Sequence, residues 1–589
     1  MNGDVESRRA ALARLNPADD ALIPIGMEVD AAGKVTKNSF GVFNLSWQAQ
    51  CHPEWPRRIA EEAHAIRAAI QETHGVPLRF LIWAGMGGSI EDKSMYQALG
   101  LLKGGPKFYS LDSTDPAKLK SILEDMTRRS GLPLPAVLRS TLVVGMAMGM
   151  TSYEPVLNLE KLTALYNRYR IDARPNFLYM TLPGSILDKF AAPRGYRKVD
   201  LQLDGDNSTA GRHSGPLTRG SLYPLALAGA DLRKWMAATF LSDEEIFTAW
   251  KLAAFIHAQG LSGRDKLTLF LPKAMAGAAL WTKQDFEESL GKCENLGLKV
   301  VIGEKAKLSH YRPARDPRQD RAFLVVQYAG SPNNPATARL RRAGYPVATL
   351  KLNAAEPLSR YMQFIHYAVF GVGYLRQMNF VTQPSVELYK AITGRVAGKT
   401  GQAWRKLDAS AGKATWRNAI TLHYEGFRNV LKGRPELRGD APGIYAAILK
   451  RLGEDRNIEY GELTFFGDSR YSLQGRAVRA KLEAAGNHVF RGRLKMPVDV
   501  YEGPAMNHSY HEMIIGHGKC FSTVLISEKL EKIPAAGYEG DYHRAQFLAT
   551  RMALAERGRP VVALVLKNLN DRTLEALDEF FLHAASSLQ

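Results

Sequence analysis

The chain has 589 residues, of which 45% are hydrophobic and 23% charged, and its formal net charge at pH 7 is +19. This length exceeds what a single hydrophobic core organises, so we expect three or four structural units. No apolar run approaches the ~20 residues that cross a bilayer. The polar N-terminus lacks the apolar centre of a signal peptide, and three scattered cysteines do not form a disulfide framework. These features favour a cytoplasmic protein and argue against a membrane or secreted one.

The positive net charge raises nucleic acid as a partner. The Lys and Arg residues are scattered, however, and Pro and Asp interrupt the densest stretch, "HYRPARDPRQDR". No stripe of alternating aromatic and basic residues is visible. We therefore expect that the positive charge serves small anionic ligands, or only solubility, rather than nucleic acid.

The first half of the chain predicts a helical lead-in and then a parallel sheet. Residues 1–75 are irregular until the helical pattern "WPRRIAEEAHAIRAAIQETHG". From about residue 76, amphipathic helices alternate with short apolar runs: "RFLIWAG", "KFYSLD", "STLVVG" and "NFLYMTL". Strands that alternate with helices in this way predict an α/β fold with helices on both faces of a parallel sheet.

Two more α/β regions follow. The second begins near residue 264, and its predicted strands are "DKLTLFLP", "LKVVIG", "AFLVVQYAG" and "YPVATLKLN". The third follows the stretch "RVAGKTGQAWRK" and contains "IEYGELTFFG", "CFSTVLIS" and "RPVVALVLKN". We predict an N-terminal lead-in (1–75), two α/β domains (76–240 and 241–400) and a C-terminal α/β region (401–589).

A glycine-rich turn follows the first strand, in "WAGMGGSIED". Gly85, Gly87 and Gly88 let backbone amides approach a ligand closely, and Ser89 can cap the next helix and donate a hydrogen bond. The three-glycine spacing of the dinucleotide fingerprint is absent. A tight turn that serves only packing remains the alternative.

Two later stretches offer charged side chains. Arg212, in "STAGRHSG", places a guanidinium where an anion or an enediolate could lie. Glu287 and Glu288 lie in the helical stretch "TKQDFEESLGK", which periodicity alone predicts as a solvated face.

A group of histidines near the C-terminus suggests the hypothesis of a metal site. "NHSYHEMIIGH" contains His508, His511, Glu512 and His517. His511 and His517 are six residues apart, whereas zinc metalloproteases place two histidines four apart around a glutamate. We therefore expect no metal.

Taken in order, these stretches resemble the phosphoglucose isomerase family, in which two sugar-isomerase (SIS) domains pack together. The family shows Gly-x-Gly-Gly-Ser after a strand, then a Gly-Gly-Arg-[Phe/Tyr]-Ser turn, then Gln-x-x-x-Glu-Ser-x-Gly-Lys, which reads "QDFEESLGK" here. "LDSTDP", "NFVTQPSVELYKAIT" and "GPAMNHSYHEMI" also match in order, the last of them to the isomerase half of transaldolase–phosphoglucose isomerase fusions. The likeness runs from about residue 75 to the C-terminus.

The resemblance implies tandem SIS domains with a C-terminal α/β extension, and an isomerase that interconverts glucose 6-phosphate and fructose 6-phosphate through a cis-enediol. Carried over by motif, Glu288 is the base that moves the proton, and Arg212 stabilises the enediolate. His508 opens the sugar ring, and Lys390 lies on the side of the ring oxygen. The resemblance also implies a homodimer, with a sugar phosphate or similar anionic sugar as ligand and no metal or organic cofactor. The substrate-binding residues that it implies are Gly87, Gly88, Ser89, Thr151, Ser152 and Gln284.

The loop "GMAMGMTSYEP" departs from the family's phosphate loop. Glu154 anchors the match, but Ala147, Met148 and Gly149 stand where the family has hydroxyl or lysine side chains, and Pro155 replaces its last hydroxyl. Each charge-assisted hydrogen bond to a phosphate contributes roughly 1.5–3 kcal/mol, so this loop predicts weak phosphate affinity. A hexose with another C6 group, such as a sulfonate, and a non-catalytic sugar-phosphate-binding role both remain alternatives.

The flanking motifs depart from the family as well. Glu91, Asp92 and Lys93 follow the glycine-rich turn, where the family has small apolar residues. The arginine turn reads Ala-Gly-Arg, with His213 in place of Phe or Tyr. The catalytic motifs are thus closer to the family than the motifs that contact the rest of the substrate.

Overall fold

The computed structural model describes residues 26–588, except 30, 33–34, 39–40, 206–214, 333 and 381. The N-terminal part contains an antiparallel pair, β1 (Met27–Val29) and β2 (Val35–Asn38), then α1 (Gly41–Cys51) and α2 (Trp55–His74). Pro56 lies in the first turn of α2, and Gly75 ends the helix in the left-handed conformation, as their backbone preferences favour. The predicted helix is confirmed.

The first sheet is parallel, with strand order β4-β3-β5-β6-β7. All four predicted strands of this region are present. Its elements in chain order are β3 (Phe80–Ala84), α3 (Glu91–Ala98), β4 (Lys107–Leu111), α4 (Pro116–Ser130), α5 (Leu134–Arg139), β5 (Thr141–Ala147), α6 (Glu154–Arg168), β6 (Phe177–Thr181), α7 (Ile186–Ala191) and β7 (Arg197–Lys198).

The second sheet is also parallel, with order β11-β10-β8-β9. Residues of both sheets and of two long helices, Asp243–Leu261 and Leu358–Arg376, share one hydrophobic core. The elements of this region are α8 (Arg219–Leu227), α9 (Leu232–Ala237), α10 (Asp243–Leu261), β8 (Lys266–Phe270), α11 (Ala279–Leu290), β9 (Lys299–Val301), β10 (Arg321–Tyr328), α12 (Pro335–Arg342), β11 (Val347–Leu352) and α13 (Leu358–Arg376).

The third sheet has order β12-β13-β17-β16-β14-β15, with parallel pairing from β17 to β15 and antiparallel pairing at β12 and β13. The elements are α14 (Pro384–Ala397), α15 (Thr400–Asp408), β12 (Lys413–Trp416), β13 (Ile420–His423), α16 (Ala441–Glu454), β14 (Tyr460–Phe466), α17 (Leu473–Ala485), β15 (Val498–Gly503), α18 (His511–Gly516), β16 (Cys520–Ser527), α19 (Asp541–Glu556), β17 (Val561–Leu566) and α20 (Asp571–Ser587).

The predicted α/β class, with parallel sheets flanked by helices, is confirmed. The three sheets lie within the predicted ranges 76–240, 241–400 and 401–589, and the exact domain limits stay predictions. No helix in the described part of the chain is long and apolar enough to span a bilayer.

Three strands of the third sheet lie outside the sequence prediction. β12 and β13 are four residues each, and their tight connection places Arg417 and Asn418 at positive φ. β15 carries Asp499 and Glu502, which are buried because lysines pair with both. Short edge strands and buried acids both obscure the apolar signal that marks a strand.

The ends of two sheets meet. The turn after β3 and the loop after β5, at the carboxyl end of the first sheet, contact the turn after β15 in the third. In open parallel sheets, ligands bind beyond the carboxyl ends of strands. This meeting point is where the residues that the sequence singled out come together.

Candidate active site

Glu288 lies on the buried face of α11 and has two amide partners. Gln284, one turn earlier on the same helix, donates from Nε2 to Glu288 Oε2 at 2.9 Å. Gln383, just before α14, donates to the other carboxylate oxygen. Both carboxylate oxygens of this buried acid are therefore held by neutral donors, which orient the group without adding a positive charge.

The solvated face that periodicity predicted for this helix is wrong. Every residue from Trp281 to Leu290 is buried. Glu287 pairs with Lys283 and Lys299, and its ion pair offsets the cost of burying the charge. The sequence pattern of α11 predicts an exposed helix because the pattern does not show the partners, such as Lys299 and Gln383, that other parts of the chain supply.

His508 ends a short 3₁₀ turn after β15 and contacts Glu154 at the start of α6. The distance from His508 Nε2 to Glu154 Oε1 is 2.9 Å, and Gln546 Nε2 donates to the same oxygen at 2.9 Å. Burial alone would raise the pKa of Glu154, but the charge and hydrogen bond of His508 outweigh it and lower this pKa. The carboxylate thus fixes the orientation of the imidazole. Tyr389 meets the His508 ring edge-on, with centroids 6.0 Å apart.

The glycine-rich turn packs directly against the histidine turn. A Cβ on Gly87 would lie 2.6 Å from Ser509 Oγ and 3.1 Å from the His508 carbonyl oxygen. Gly87 also has φ +53°, a conformation that side chains rarely adopt. Ser509 Oγ in turn accepts from Gln284 Nε2 at 2.9 Å. One chain of contacts therefore joins Gly87, His508 and Glu288.

The other residues of this turn are buried. Gly88 and Ser89 are enclosed, and the Ser89 carbonyl accepts from Trp83 Nε1 at 3.0 Å. The prediction that Ser89 caps the next helix is wrong, because α3 begins at Glu91 with Ile90 at the cap position and no side-chain cap bond. The cap position of the helix is therefore Ile90, one residue after the Ser89 that the motif predicted.

Lys390 lies beside the loop after β5. Its ammonium is 3.7 Å from the position of a Cβ on Gly149, and it pairs with Glu387 at 2.8 Å. Ser152 Oγ is 3.4 Å from the same Cβ position. Thr151 is exposed, whereas Ser152 is buried. Lys390 and Ser152 are therefore the charged and hydroxyl groups nearest to this part of the loop.

The charged residues after the glycine-rich turn are buried in α3. Asp92 and Lys93 pair at 2.7 Å with no exposed side-chain surface, and Ser221 donates to Asp92. Burial lowers the pKa of Lys93, although its partner Asp92 opposes the shift. This pair lies among apolar side chains and belongs to the packing of the first domain.

Arg212 and His213 lie outside the described residues. The other histidines of the C-terminal group have separate structural partners: His517 Nε2 lies 2.7 Å from Asp265 Oδ2, and the ring of His511 meets Tyr389 edge-on. Glu512 accepts from the backbone N–H of Ser385 at the start of α14. Among the residues that the structure describes, Asp265, Asp320 and Glu459 are the acids near enough to one another to hold a cation, and the Lys266 ammonium pairs with all three. No sequence-predicted site residue belongs to that cluster.

Sequence reasoning missed four residues of the site: Glu154 as the partner of the histidine, Gln383, Ser509 and Gln546. Three of them lie inside quoted motifs, as the anchor of the phosphate loop, the Gln before Pro384 and the residue after His508. Gln546 lies on α19 outside any motif, and only the fold brings it to Glu154. A buried acid held by two glutamines and a histidine held by a second acid can accept and return protons at neighbouring atoms.

Comparison with known proteins gives sequence relatives that are named glucose-6-phosphate isomerase. No protein-family model matches the chain. It is 29% identical over 242 residues to a glucose-6-phosphate isomerase of Parasynechococcus marenigrum, which is 38% of this chain and 41% of the relative. It is 26% identical over 407 residues to a glucose-6-phosphate isomerase of Symbiobacterium thermophilum, covering 60% of this chain and 86% of that one. The match to the first relative spans less than half of that relative's length.

A solved structure shows the same fold. A glucose-6-phosphate isomerase from Chlamydia trachomatis superimposes with a TM-score of 0.50 and 16% identity, over 68% of this chain and 85% of that chain. This likeness concerns the arrangement of helices and sheets. The chain is thus similar in sequence to glucose-6-phosphate isomerases over part of its length and shares the fold of a solved one, which agrees with its resemblance to the phosphoglucose isomerase family.

Proposed function

We propose that the protein is an aldose–ketose isomerase that interconverts glucose 6-phosphate and fructose 6-phosphate through a cis-enediol. The observation that carries the proposal is the contact chain from Glu288 through Gln284 and Ser509 to the His508–Glu154 pair. In this chain of contacts, the group to which we assign ring opening lies near the group to which we assign proton transfer. Matches to glucose-6-phosphate isomerases over part of the chain support the same reaction.

Ring opening is assigned to His508. As the bond between C1 and the ring oxygen breaks, the imidazole exchanges a proton with the sugar while Glu154 holds its Nε2 side. The lowered pKa of Glu154 keeps this acid ionised, so it stabilises the imidazolium form during the transfer. Gln546 holds the same oxygen of Glu154 and fixes the geometry of the pair.

Proton transfer is assigned to Glu288. Its carboxylate removes the proton from C2 of the open-chain aldose while the carbonyl oxygen at C1 gains a proton, which gives the cis-enediol. The enediol then receives the first proton at C1 and loses the proton of its hydroxyl group at C2, which gives the ketose. Gln284 and Gln383 hold the two carboxylate oxygens, so the base is oriented before the substrate binds. Burial of α11 limits the access of bulk water to the enediol, so transfer of the proton to C1 competes with its exchange with solvent.

The family resemblance implies that Lys390 lies on the side of the ring oxygen, but its ammonium lies beside Gly149 of the loop after β5. We therefore assign the group at C6 to Lys390, Ser152 and the backbone amides at the start of α6. Met148, Gly149 and Met150 offer no side chain with a polar hydrogen at this place. That observation favours a second candidate, a hexose with a sulfonate at C6, because a monoanion needs fewer donors than a phosphate dianion. The homodimer and a cytoplasmic location remain parts of the proposal that the family resemblance supplies.

A direct assay separates the candidates. The purified chain is incubated with glucose 6-phosphate and, separately, with 6-sulfoquinovose, and the ketose product of each is quantified by NMR. Fructose 6-phosphate formation with a higher kcat/KM than the sulfonated substrate supports the first candidate. Turnover of the sulfonated sugar alone supports the second, and no product from either substrate contradicts the assignment of an isomerase.

A further inference from the structure

A cavity of about 950 Å³ lies beside the turn that carries His508. Ala505 and Met506 of that turn contribute to its wall, as does Glu91 at the start of α3. Neither Glu288 nor His508 lines it, so it is distinct from the candidate active site. Its volume falls in the range of sites that enclose a small metabolite.

The inner wall of this cavity offers a carboxyl group and a guanidinium. Glu91 is 5% exposed, and in the described part of the chain no group donates a hydrogen bond to its carboxyl. Burial raises the pKa of Glu91 to about 7, although Arg470 opposes the shift. Arg470 is held in place, since it donates to Ser110 Oγ at 2.8 Å and pairs with Asp112 at 3.0 Å. Glu91 can therefore accept from or donate to a ligand hydroxyl that enters the cavity.

The rim of the same cavity is cationic. Lys305, Lys307 and Arg493 are exposed, and within the described ranges none of them has an ion-pair partner. His310, also on the rim, has its pKa lowered, first by burial and then by the charge of Lys307. Glu304 opposes this shift, and Arg491 adds to it. The exposed cations Lys305, Lys307 and Arg493 make the local potential positive, which attracts anions.

We propose that this cavity binds a small phosphate ester that carries free hydroxyl groups. The phosphate lies at the rim, where Lys305, Lys307 and Arg493 supply three cations, and a hydroxyl group reaches Glu91 at the inner wall. The ligand contacts the backbone wall at Ala505 and Met506, so it touches the element that carries His508. The site needs no residue of the proposed catalytic centre, and it stands whether or not the isomerase assignment holds.

The first test measures binding of glycerol 3-phosphate to the full chain by isothermal titration calorimetry. All titrations use a K390E background, which reverses the cation of the proposed active site. We expect one binding event per chain, weakened more than about tenfold by K305E/K307E, since two charge-assisted contacts are lost and two charges are reversed. The matched control K432E/K567E makes the same charge change at two exposed lysines outside the cavity and leaves binding within about twofold.

Two outcomes of this titration overturn the proposal. Absence of binding in the K390E background assigns all anion binding to the active site. Equal weakening by the two lysine pairs shows that binding follows net charge and not a local site.

The second test examines the hydroxyl contact with E91Q, which keeps the size of the side chain. In the K390E parent, glycerol 3-phosphate binds more tightly than inorganic phosphate, and adding E91Q reduces this preference at least about threefold while leaving the affinity for inorganic phosphate unchanged. Thermal unfolding of E91Q confirms that it is folded. An unchanged preference in folded E91Q overturns the assignment of the ligand hydroxyl to Glu91. Equal affinity of the parent for both ligands overturns the proposal that the cavity binds a phosphate ester in preference to inorganic phosphate.

Discussion

The two ends of the candidate active site differ in how they are built. At the proton-transfer end, Glu288 and His508 are buried and each is held by hydrogen bonds from distant elements. At the anion end, Met150 and Thr151 are exposed, and Lys390 approaches a loop position that has no side chain. The comparison teaches that orientation of the reacting groups is fixed by the fold, whereas contact with the C6 group depends on few side chains. The chemistry is therefore sensitive to single changes at one end, and specificity is adjustable at the other.

The largest expected effect is on the proton-transfer end. E288Q keeps the shape of the side chain and removes the base, so kcat for the isomerisation falls by about 10²–10⁴ with little change in KM. Steady-state kinetics of the purified variant measures this. E294Q is the control, because Glu294 is an exposed acid paired with Arg559. If E288Q retains more than a tenth of the parental kcat, Glu288 is not the base.

At the anion end we expect a smaller loss. K390A removes the cation beside Gly149 and lowers kcat/KM for the 6-phosphate by roughly tenfold to a hundredfold, the value of one charged contact. The same variant changes kcat/KM for the unphosphorylated sugar by much less. K399A, two residues after the same helix α14, serves as the control. Equal losses for both sugars would place Lys390 at the ring instead of at the C6 group.

The contact between the two turns can be broken without touching a polar group. G87A adds a methyl group 2.6 Å from Ser509 Oγ at a residue with φ +53°. Gly184 has φ +75° with nothing within 4 Å of its Cβ position, so G184A carries only the backbone cost. We expect G87A to be about 1–3 kcal/mol less stable than G184A in chemical denaturation, because the turn must shift to accept the methyl group. Equal stabilities would show that the two turns are not tightly packed.

Glu154 gives the proton-transfer end a pH-dependent stability. Because its pKa is lowered in the folded state, Glu154 stabilises the fold at pH values above its ordinary pKa of 4.5, and this contribution is lost as the pH falls through the lowered value. E154Q replaces a charge-assisted hydrogen bond by a neutral one and costs about 1 kcal/mol at pH 7. Thermal unfolding from pH 7 to pH 3 should show the two proteins converging at acid pH. A constant difference across this range argues against an ionised Glu154.

The smallest expected effect comes from restoring a hydroxyl group at the anion end. G149S places its Cβ 3.4 Å from Ser152 Oγ and 3.7 Å from Lys390 Nζ, both ordinary contacts, so the serine fits. We expect KM for the 6-phosphate to fall about twofold to fivefold, since a neutral donor contributes about 1 kcal/mol at most at a partly exposed site. G398S, at another glycine with open space around it, is the control. An unchanged KM would mean that the loop does not contact the phosphate.

Much of this architecture can be read from the sequence. Strands such as Phe80–Ala84 and Thr141–Ala147 are continuous apolar runs bounded by glycine turns, which is the pattern of a buried parallel strand. Glu288, His508 and Lys390 followed from ordered motifs, and the structure brings them to one region. The helical periodicity wrongly predicted that α11 is exposed, because its buried lysines and acids form ion pairs that the pattern does not show. Gln546 could not be found, because no local pattern marks a residue whose partner is 392 positions away.

The most direct test of the account follows the proton. Glucose 6-phosphate is incubated with the enzyme in deuterated buffer, and deuterium at C2 is measured by NMR for the parent protein and for E288Q. The account predicts that deuterium enters C2 with the parent protein and that the rate falls by at least about 10² in E288Q. Absence of exchange with the parent protein, or exchange that E288Q does not slow, would contradict the assignment of Glu288 as the base that moves the proton between C2 and C1.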